Sequence, residues 1–142
     1  MTNKQSILIL CTGNSARSQM AEGLLRHDYG DFFDVVSAGT QPSIVRPEAI
    51  AVMDSIGIDI SSHRSKNVLE FQHTQFDHVI TVCDNAHENC PVFFGTVNRV
   101  HHSFDDPAAV IGTETQRLAE FARVRDEMRD YLTQFAESVK QR

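Results

Sequence analysis

The sequence has no long apolar run, no excess of positive charge and few cysteines, and each of these absences excludes a class of protein. No apolar stretch approaches the roughly 20 residues that a membrane-spanning helix needs. The chain carries 13 basic and 19 acidic residues, a net charge of −6, which argues against a general binder of nucleic acid or anionic membranes. A small anion is not excluded, because converging backbone N–H groups can bind one on an acidic protein.

The amino terminus lacks the pattern of a secretory signal, since residues 1–5 lead into only a short apolar run at residues 7–10. The cysteines are Cys11, Cys83 and Cys90, an odd number that does not fit a framework of structural disulfides. We therefore expect a cytoplasmic protein whose cysteines are either inert core residues or partners in transient chemistry.

The sequence does contain a regular alternation of short apolar runs and helical stretches, with no repeat or linker. Its 142 residues, 41% of them apolar, predict a single domain over residues 1–142. The predicted strands are 6–10, 34–37, 78–82 and 99–102; the predicted helices are 18–29, 47–57, a short 68–71 and a long last helix over 118–139. This alternation predicts an α/β fold with a four-stranded parallel sheet, order 2-1-3-4, and helices on both faces.

Three side chains with reactive groups follow the ends of predicted strands. Cys11 comes after the first strand, Cys83 after the third and Asp106 shortly after the fourth. Sites in parallel sheets lie beyond the carboxyl ends of the strands, so we expect these groups at one edge. The first and third strands would be neighbours, about 4.8 Å apart, which places Cys83 near Cys11.

The segment from Cys11 to Ser18 has the composition of an oxyanion-binding loop between a strand and a helix. Small residues let successive N–H groups point inward, and the following helix adds its positive end. Arg17 can grip two oxygens of a tetrahedral anion, and the same field would stabilise a thiolate at Cys11. Ser18 could bond that thiolate or cap the helix. The predicted oxyanion-binding residues are Thr12, Gly13, Asn14, Ser15, Ala16 and Arg17. The alternative is a buried cysteine beside a surface arginine.

The stretch from Cys83 to Cys90 is polar and short enough to bend until its two sulfurs meet. Cys83 could then attack a sulfur on Cys11, and Cys90 could attack Cys83, in a relay of thiol–disulfide exchange. Zinc ligation with His87, or two unrelated buried thiols, are the alternatives.

Asp106 precedes Pro107 and could protonate a leaving oxygen, although an aspartate before proline is also common in plain turns.

The seven histidines form no ligand cluster, and His101 and His102 fall on opposite strand faces. We therefore predict no metal and no cofactor. The charged face of the last helix, which includes Arg123, Arg125, Asp126 and Glu127, is expected to be solvated.

The motif CTGNSxRSQMAEG at residues 11–23 resembles the low-molecular-weight protein tyrosine phosphatases, and still more the thioredoxin-coupled arsenate reductases built on the same fold. The resemblance continues through the segments 37–39, 83–91, 104–107 and 123–127. It implies that Cys11 is the nucleophile and that Asp106, rather than Asp105, is the acid.

The resemblance also implies a mechanism and partners. Arsenate would form an adduct with Cys11, Cys83 would release arsenite by forming a Cys11–Cys83 disulfide, and Cys90 would then form Cys83–Cys90 for reduction by thioredoxin, with glutaredoxin as another possible reductant. Arsenate is the implied substrate, and a monomer is expected. A phosphatase and a non-catalytic oxyanion or redox sensor are the alternative functions.

Two departures from the family pattern matter. The tyrosine pair that follows Asp-Pro in the phosphatases is absent, since the sequence reads Asp106-Pro107-Ala108-Ala109. Asn14, Glu22 and Ser37 match a potassium site of some reductases, but Lys66 stands where an aspartate would complete it. A lysine ammonium can take the place of the cation, so we predict no potassium dependence.

Overall fold

The structure is a computed structural model and describes residues 4–84 and 97–140. Its centre is a parallel sheet of β1 (Gln5–Cys11), β2 (Phe33–Gly39), β3 (His78–Thr81) and β4 (Asn98–His101) in the order β2-β1-β3-β4. The helices of the described residues are α1 (Arg17–Tyr29), α2 (Pro47–Asp54) and α3 (Glu114–Val139), with short 3₁₀ turns at Val68–Phe71 and Pro107–Ala109. The predicted parallel sheet and its strand order are confirmed.

The position of β1 follows from its composition. Residues 7–11 are all buried, which fits a strand with a continuous apolar run between two neighbouring strands. β4 lies at the edge and exposes three of its four residues. Because β1 pairs with both β2 and β3, the carboxyl end of β1 lies between segment 39–46 and Cys83.

Helix α3 begins four residues before the predicted start. A capping box explains this, because Thr113 accepts the N–H of Gln116 while the Gln116 side chain accepts the N–H of Thr113. Its buried face repeats every three or four residues and consists of Phe121, Val124, Met128, Leu132 and Phe135.

The expectation that Arg125 is solvated is wrong. Its guanidinium is buried and donates to the carbonyl of Val52 at 2.7 Å and to Ser55 Oγ at 3.2 Å. The carbonyls at the end of α2 have no partner within their own helix, so an arginine from α3 satisfies one of them.

Among the residues that the structure describes, no helix is both long enough and apolar enough to cross a lipid bilayer.

Candidate active site

The loop that follows β1 turns its carbonyl groups outward. The carbonyls of Cys11, Thr12 and Gly13 accept the N–H groups of Thr40, Gln41 and Ser43 at 3.3, 2.8 and 3.1 Å. Farther along, the carbonyl of Asn14 accepts from Gln19 Nε2 at 3.1 Å, and that of Ser15 accepts the N–H of Arg46 at 2.8 Å.

The outward carbonyls determine where the loop amides point. In a planar trans peptide the N–H group points opposite to the preceding C=O, and the described residues contain no cis peptide. The N–H groups of residues 12–14 and 16 therefore point away from segment 40–46. Successive amides on one side of a tight loop are the arrangement of an anion nest.

Asn14 is the central residue behind this loop. It is fully buried and has a φ of 46°, a left-handed conformation that asparagine tolerates better than most residues. Its Nδ2 donates to Ser18 Oγ at 2.7 Å and to Ser37 Oγ at 2.9 Å. Its Oδ1 accepts from Gln19 Nε2 and from the backbone N–H of Lys66, both at 2.9 Å. The loop is thus tied to α1, β2 and segment 64–66.

Gly39 allows β2 to approach the loop closely. A Cβ at this position would lie 2.5 Å from the carbonyl oxygen of Thr12 and 2.9 Å from the backbone nitrogen of Asn14. Both neighbours are backbone atoms that cannot move aside, so only glycine fits here.

Cys11 lies at the bottom of the loop and is almost fully buried. Its Sγ is 3.0 Å from Ser18 Oγ. Because Ser18 Oγ also accepts from Asn14 Nδ2, the hydroxyl proton is available to the sulfur. This geometry lets the Ser18 hydroxyl donate a hydrogen bond to Cys11 Sγ.

Arg17, the first residue of α1, lies beside the segment that follows β4. Arg17 Nη1 donates to the carbonyl of Phe104 at 3.0 Å, and its Nη2 lies 3.8 Å from Asp106 Oδ2. Asp106 Oδ1 accepts the N–H of Ala108 at 3.0 Å, so this aspartate also caps the 3₁₀ turn. Asp105 pairs instead with Arg123 at 3.0 Å. Of the two aspartates, Asp106 is the one near Arg17.

The second cysteine lies at the edge of the same loop. Cys83 is buried, and its Sγ is 3.2 Å from Thr12 Oγ1. The pairing of β3 with β1 produces this contact, since Val82 N–H donates to the carbonyl of Leu10 at 2.9 Å. Cys83 and the loop that begins at Cys11 therefore lie together, as the topology predicted. Cys90 and His87 lie outside the described residues.

A buried carboxylate lies beneath the loop. Glu22 accepts from Ser37 Oγ at 2.7 Å and from Arg26 Nη1 at 3.0 Å, while Lys66 Nζ is 3.8 Å away. Burial lowers the pKa of Lys66 below its usual range, and the Glu22 carboxylate acts against this shift. Burial likewise lowers the pKa of His63, whose Nε2 lies 3.5 Å from Glu22.

The family that matches this chain is described as low-molecular-weight phosphotyrosine protein phosphatase, and the match extends over residues 6–142. The chain belongs to that family. The resemblance predicted from the loop motif is thereby confirmed.

Similar proteins within this family are named as reductases. An arsenate reductase of Halalkalibacterium halodurans is 45% identical over 97% of this chain and 99% of the relative. A solved arsenate reductase in a phosphate-binding state is 29% identical with a TM-score of 0.75, over 96% of this chain and 99% of the other. A solved arsenate reductase in an oxidized state is 30% identical with a TM-score of 0.73, over 90% of this chain and 93% of the other.

Sequence reasoning missed several residues that shape this phosphatase-family site. Gln19 and Ser37 belonged to recognised motifs, but their bonds to Asn14 come from tertiary structure. His63, whose Nδ1 lies 3.0 Å from Gln19 Oε1, gave no signal in the sequence. Within residues 4–84 and 97–140, no three His, Cys, Asp or Glu side chains are grouped to hold a metal ion.

Proposed function

We propose that this protein reduces arsenate to arsenite through three cysteines and is regenerated by thioredoxin. The 45% identical relative named arsenate reductase supports the reaction. The observation that carries the proposal is the 3.2 Å contact between Cys83 Sγ and Thr12 Oγ1, which sets a second thiol beside the oxyanion loop. Hydrolysis of a phosphate ester needs no second thiol, whereas a two-electron reduction does.

Binding would use the loop amides and Arg17. Arsenate is a tetrahedral oxyanion, so the N–H groups of residues 12–16 and a planar guanidinium can bond its oxygens. The Cys11 thiolate then attacks arsenic, and an oxygen leaves as water after Asp106 protonates it. The product is a covalent adduct with a bond between Cys11 Sγ and arsenic(V).

The reduction takes place when Cys83 attacks. Its thiolate forms a bond to Cys11 Sγ while the sulfur–arsenic bond breaks, and the bonding electron pair remains on arsenic. Arsenic(V) becomes arsenic(III), and two thiols become one disulfide. The two electrons gained by arsenic equal the two lost by the cysteines.

Cys90 then attacks Cys83 and frees Cys11 for another cycle. Thioredoxin then reduces the resulting Cys83–Cys90 disulfide by a further thiol–disulfide exchange; glutaredoxin is the competing reductant. Because such a cycle depends on a reducing compartment, we place the protein in the cytoplasm.

Replacing Cys83 by serine tests the proposal. The Cys83→Ser variant should lose arsenate turnover by at least about a hundredfold and keep cleavage of a phosphate ester within about twofold. The measurement is arsenate-dependent NADPH oxidation with thioredoxin and its reductase, beside hydrolysis of p-nitrophenyl phosphate. Continued arsenate turnover by the variant would refute the relay.

A phosphatase is the second candidate, favoured by the family match and by the grouping of Cys11, Arg17 and Asp106. It predicts ester hydrolysis without any arsenate-dependent NADPH oxidation in the unchanged protein. A redox sensor, by contrast, would form one disulfide per molecule and stop.

A further inference from the structure

A contact between His101 and Asp84 lies beside Cys83 and has no part in the chemistry above. His101 Nδ1 lies 2.6 Å from Thr81 Oγ1, and His101 Nε2 lies 3.0 Å from Asp84 Oδ1. Thr81 precedes Cys83 by two residues and Asp84 follows it directly. One imidazole therefore bonds the chain on both sides of the cysteine.

The chemistry of the carboxylate fixes the direction of one of these two bonds. A carboxylate only accepts, so His101 Nε2–H donates to Asp84. The hydroxyl of Thr81 can donate to His101 Nδ1 or accept from it, and either way the two side chains stay joined. Thr81 is buried and is the register partner of His101 across β3 and β4, so the imidazole is attached to a rigid part of the sheet.

Cys83 lies just beyond the end of β3, where its position depends on these contacts. The backbone is held as far as Val82, whose carbonyl accepts the N–H of Phe104 at 3.1 Å. The bond from His101 to Asp84 holds the chain on the other side of Cys83. Between these two attachments, Cys83 Sγ stays 3.2 Å from Thr12 Oγ1.

We propose that His101 is a positioning residue for the attack of Cys83 on Cys11. The inference rests on the proposed function, because only a reductase uses that attack. In this role His101 acts by holding Asp84 and Thr81. A group held close to its target reacts much faster than one that must first be ordered.

Removing this contact should leave the fold intact. The Asp84 side chain is 78% exposed, and a polar contact so exposed to solvent contributes little to folding stability. The rate of the Cys83 attack can still change greatly, because a shift of about 1 Å in a reacting group can cost about a hundredfold.

The test compares His101→Leu with the unchanged protein in a single turnover. Both proteins carry Cys90→Ser, so that the first disulfide is not passed on. Fully reduced protein is mixed with arsenate, quenched with an alkylating agent and scored for the Cys11–Cys83 disulfide. We expect the rate constant of disulfide formation to fall at least about tenfold while hydrolysis of p-nitrophenyl phosphate stays within about twofold.

Two further variants make the comparison specific. His101→Gln keeps an amide N–H that can donate to Asp84, so it should recover most of the rate. His27→Leu is the matched control, because His27 Nδ1 also pairs with an aspartate, Asp28, at 2.9 Å but lies on α1. His27→Leu should change neither the rate of disulfide formation nor the rate of ester hydrolysis. Equal losses in disulfide formation and ester hydrolysis for His101→Leu, or no loss in either, would overturn the inference.

A measurement without arsenate separates this inference from the proposed function. In a Cys90→Ser background, Cys11 and Cys83 thiols exchange with oxidised dithiothreitol to give the Cys11–Cys83 disulfide and reduced dithiothreitol. His101→Leu should lower that equilibrium constant about tenfold, since a thiol held near its partner has a higher effective concentration. An unchanged or higher constant contradicts the role of His101. If the unchanged protein reduces no arsenate but this constant falls, only the proposed function fails.

Discussion

Asn14 shows how one residue shapes a binding loop. Its left-handed backbone bends the chain, and its amide bonds Ser18, Ser37, Gln19 and Lys66. Ser18 in turn contacts Cys11 Sγ, so the proposed nucleophile is connected to the rest of the molecule through this amide.

Replacing Asn14 separates its backbone role from its side-chain role. Asn14→Ala should lower the free energy of unfolding by about 3 kcal/mol, because it loses the buried hydrogen bonds and because alanine tolerates a left-handed conformation less well than asparagine does. Asn14→Gly should recover about 1 kcal/mol, since glycine adopts that conformation freely. Urea denaturation measures both, and equal stability of the two variants would show that the φ of Asn14 carries no strain.

We predict that Lys66 makes the protein insensitive to potassium. Its ammonium lies 3.8 Å from the buried Glu22 carboxylate, which Arg26 also contacts at 3.0 Å. Exchanging sodium for potassium at constant ionic strength should leave the thermal midpoint of the unchanged protein where it is. In Lys66→Ala the carboxylate lacks this ammonium, so potassium should raise the midpoint more than sodium does. A large potassium-specific stabilisation of the unchanged protein would contradict this prediction.

Among the elements, β3 connects the site at its carboxyl end with the contacts made at its amino end. Its carboxyl end leads to Cys83, and its first residue, His78, joins its neighbours. His78 Nε2 lies 2.6 Å from Gln5 Oε1, Nδ1 lies 3.0 Å from Asn98 Nδ2, and the ring packs edge-on against Phe135 at 5.3 Å. β1, β3, β4 and α3 thus share one buried imidazole.

The buried position of His78 predicts a loss of stability in acid. Burial lowers the pKa of His78 below its ordinary value of 6.5, so the unfolded chain binds this proton more readily than the folded one. The associated stability is present above pH 6.5 and is lost as the pH falls below that value. His78→Gln should therefore lose less stability between pH 7 and 5, by up to about 1.4 kcal/mol per pH unit.

Denaturation curves across this pH range provide the measurement. His27→Gln is the control, because it replaces a half-exposed histidine on α1 by the same residue and leaves His78 in place. His63, whose pKa burial also lowers, contributes with the same sign in every variant. Identical pH dependence for His78→Gln and the unchanged protein would show that a group other than His78 causes the loss of stability in acid.

At the scale of the whole molecule, the oxyanion loop connects most of the fold. Its carbonyls bond segment 40–46, Asn14 bonds α1, β2 and Lys66, and Arg17 bonds the carbonyl of Phe104. An anion in the loop should therefore stabilise the entire chain, which we predict to be a single domain and a monomer.

Phosphate should raise the stability of the folded protein in one cooperative step. At about a hundred times its dissociation constant, a ligand adds about 2.7 kcal/mol. Far-UV circular dichroism during thermal unfolding should show one transition that moves upward with phosphate, and Arg17→Ala should shift much less. Two separate transitions would contradict the single domain. An equal upward shift of the transition in Arg17→Ala would show that Arg17 does not bind the phosphate.

The sequence by itself determined the order of the elements, the parallel sheet and the loop from Cys11 to Ser18, because apolar periodicity and small-residue loops are local patterns. It also indicated that Cys83 lies near that loop, since strand order follows from the alternation of strands and helices. Only the tertiary structure decided which residues bond Asn14, that Arg125 is buried against the end of α2, and that His101 bonds both sides of Cys83. Apart from Ser18 and Gln19, which lie 4 and 5 positions from Asn14, these partners are 17 to 73 positions apart along the chain, and no local pattern records which distant groups will meet when the helices and strands pack.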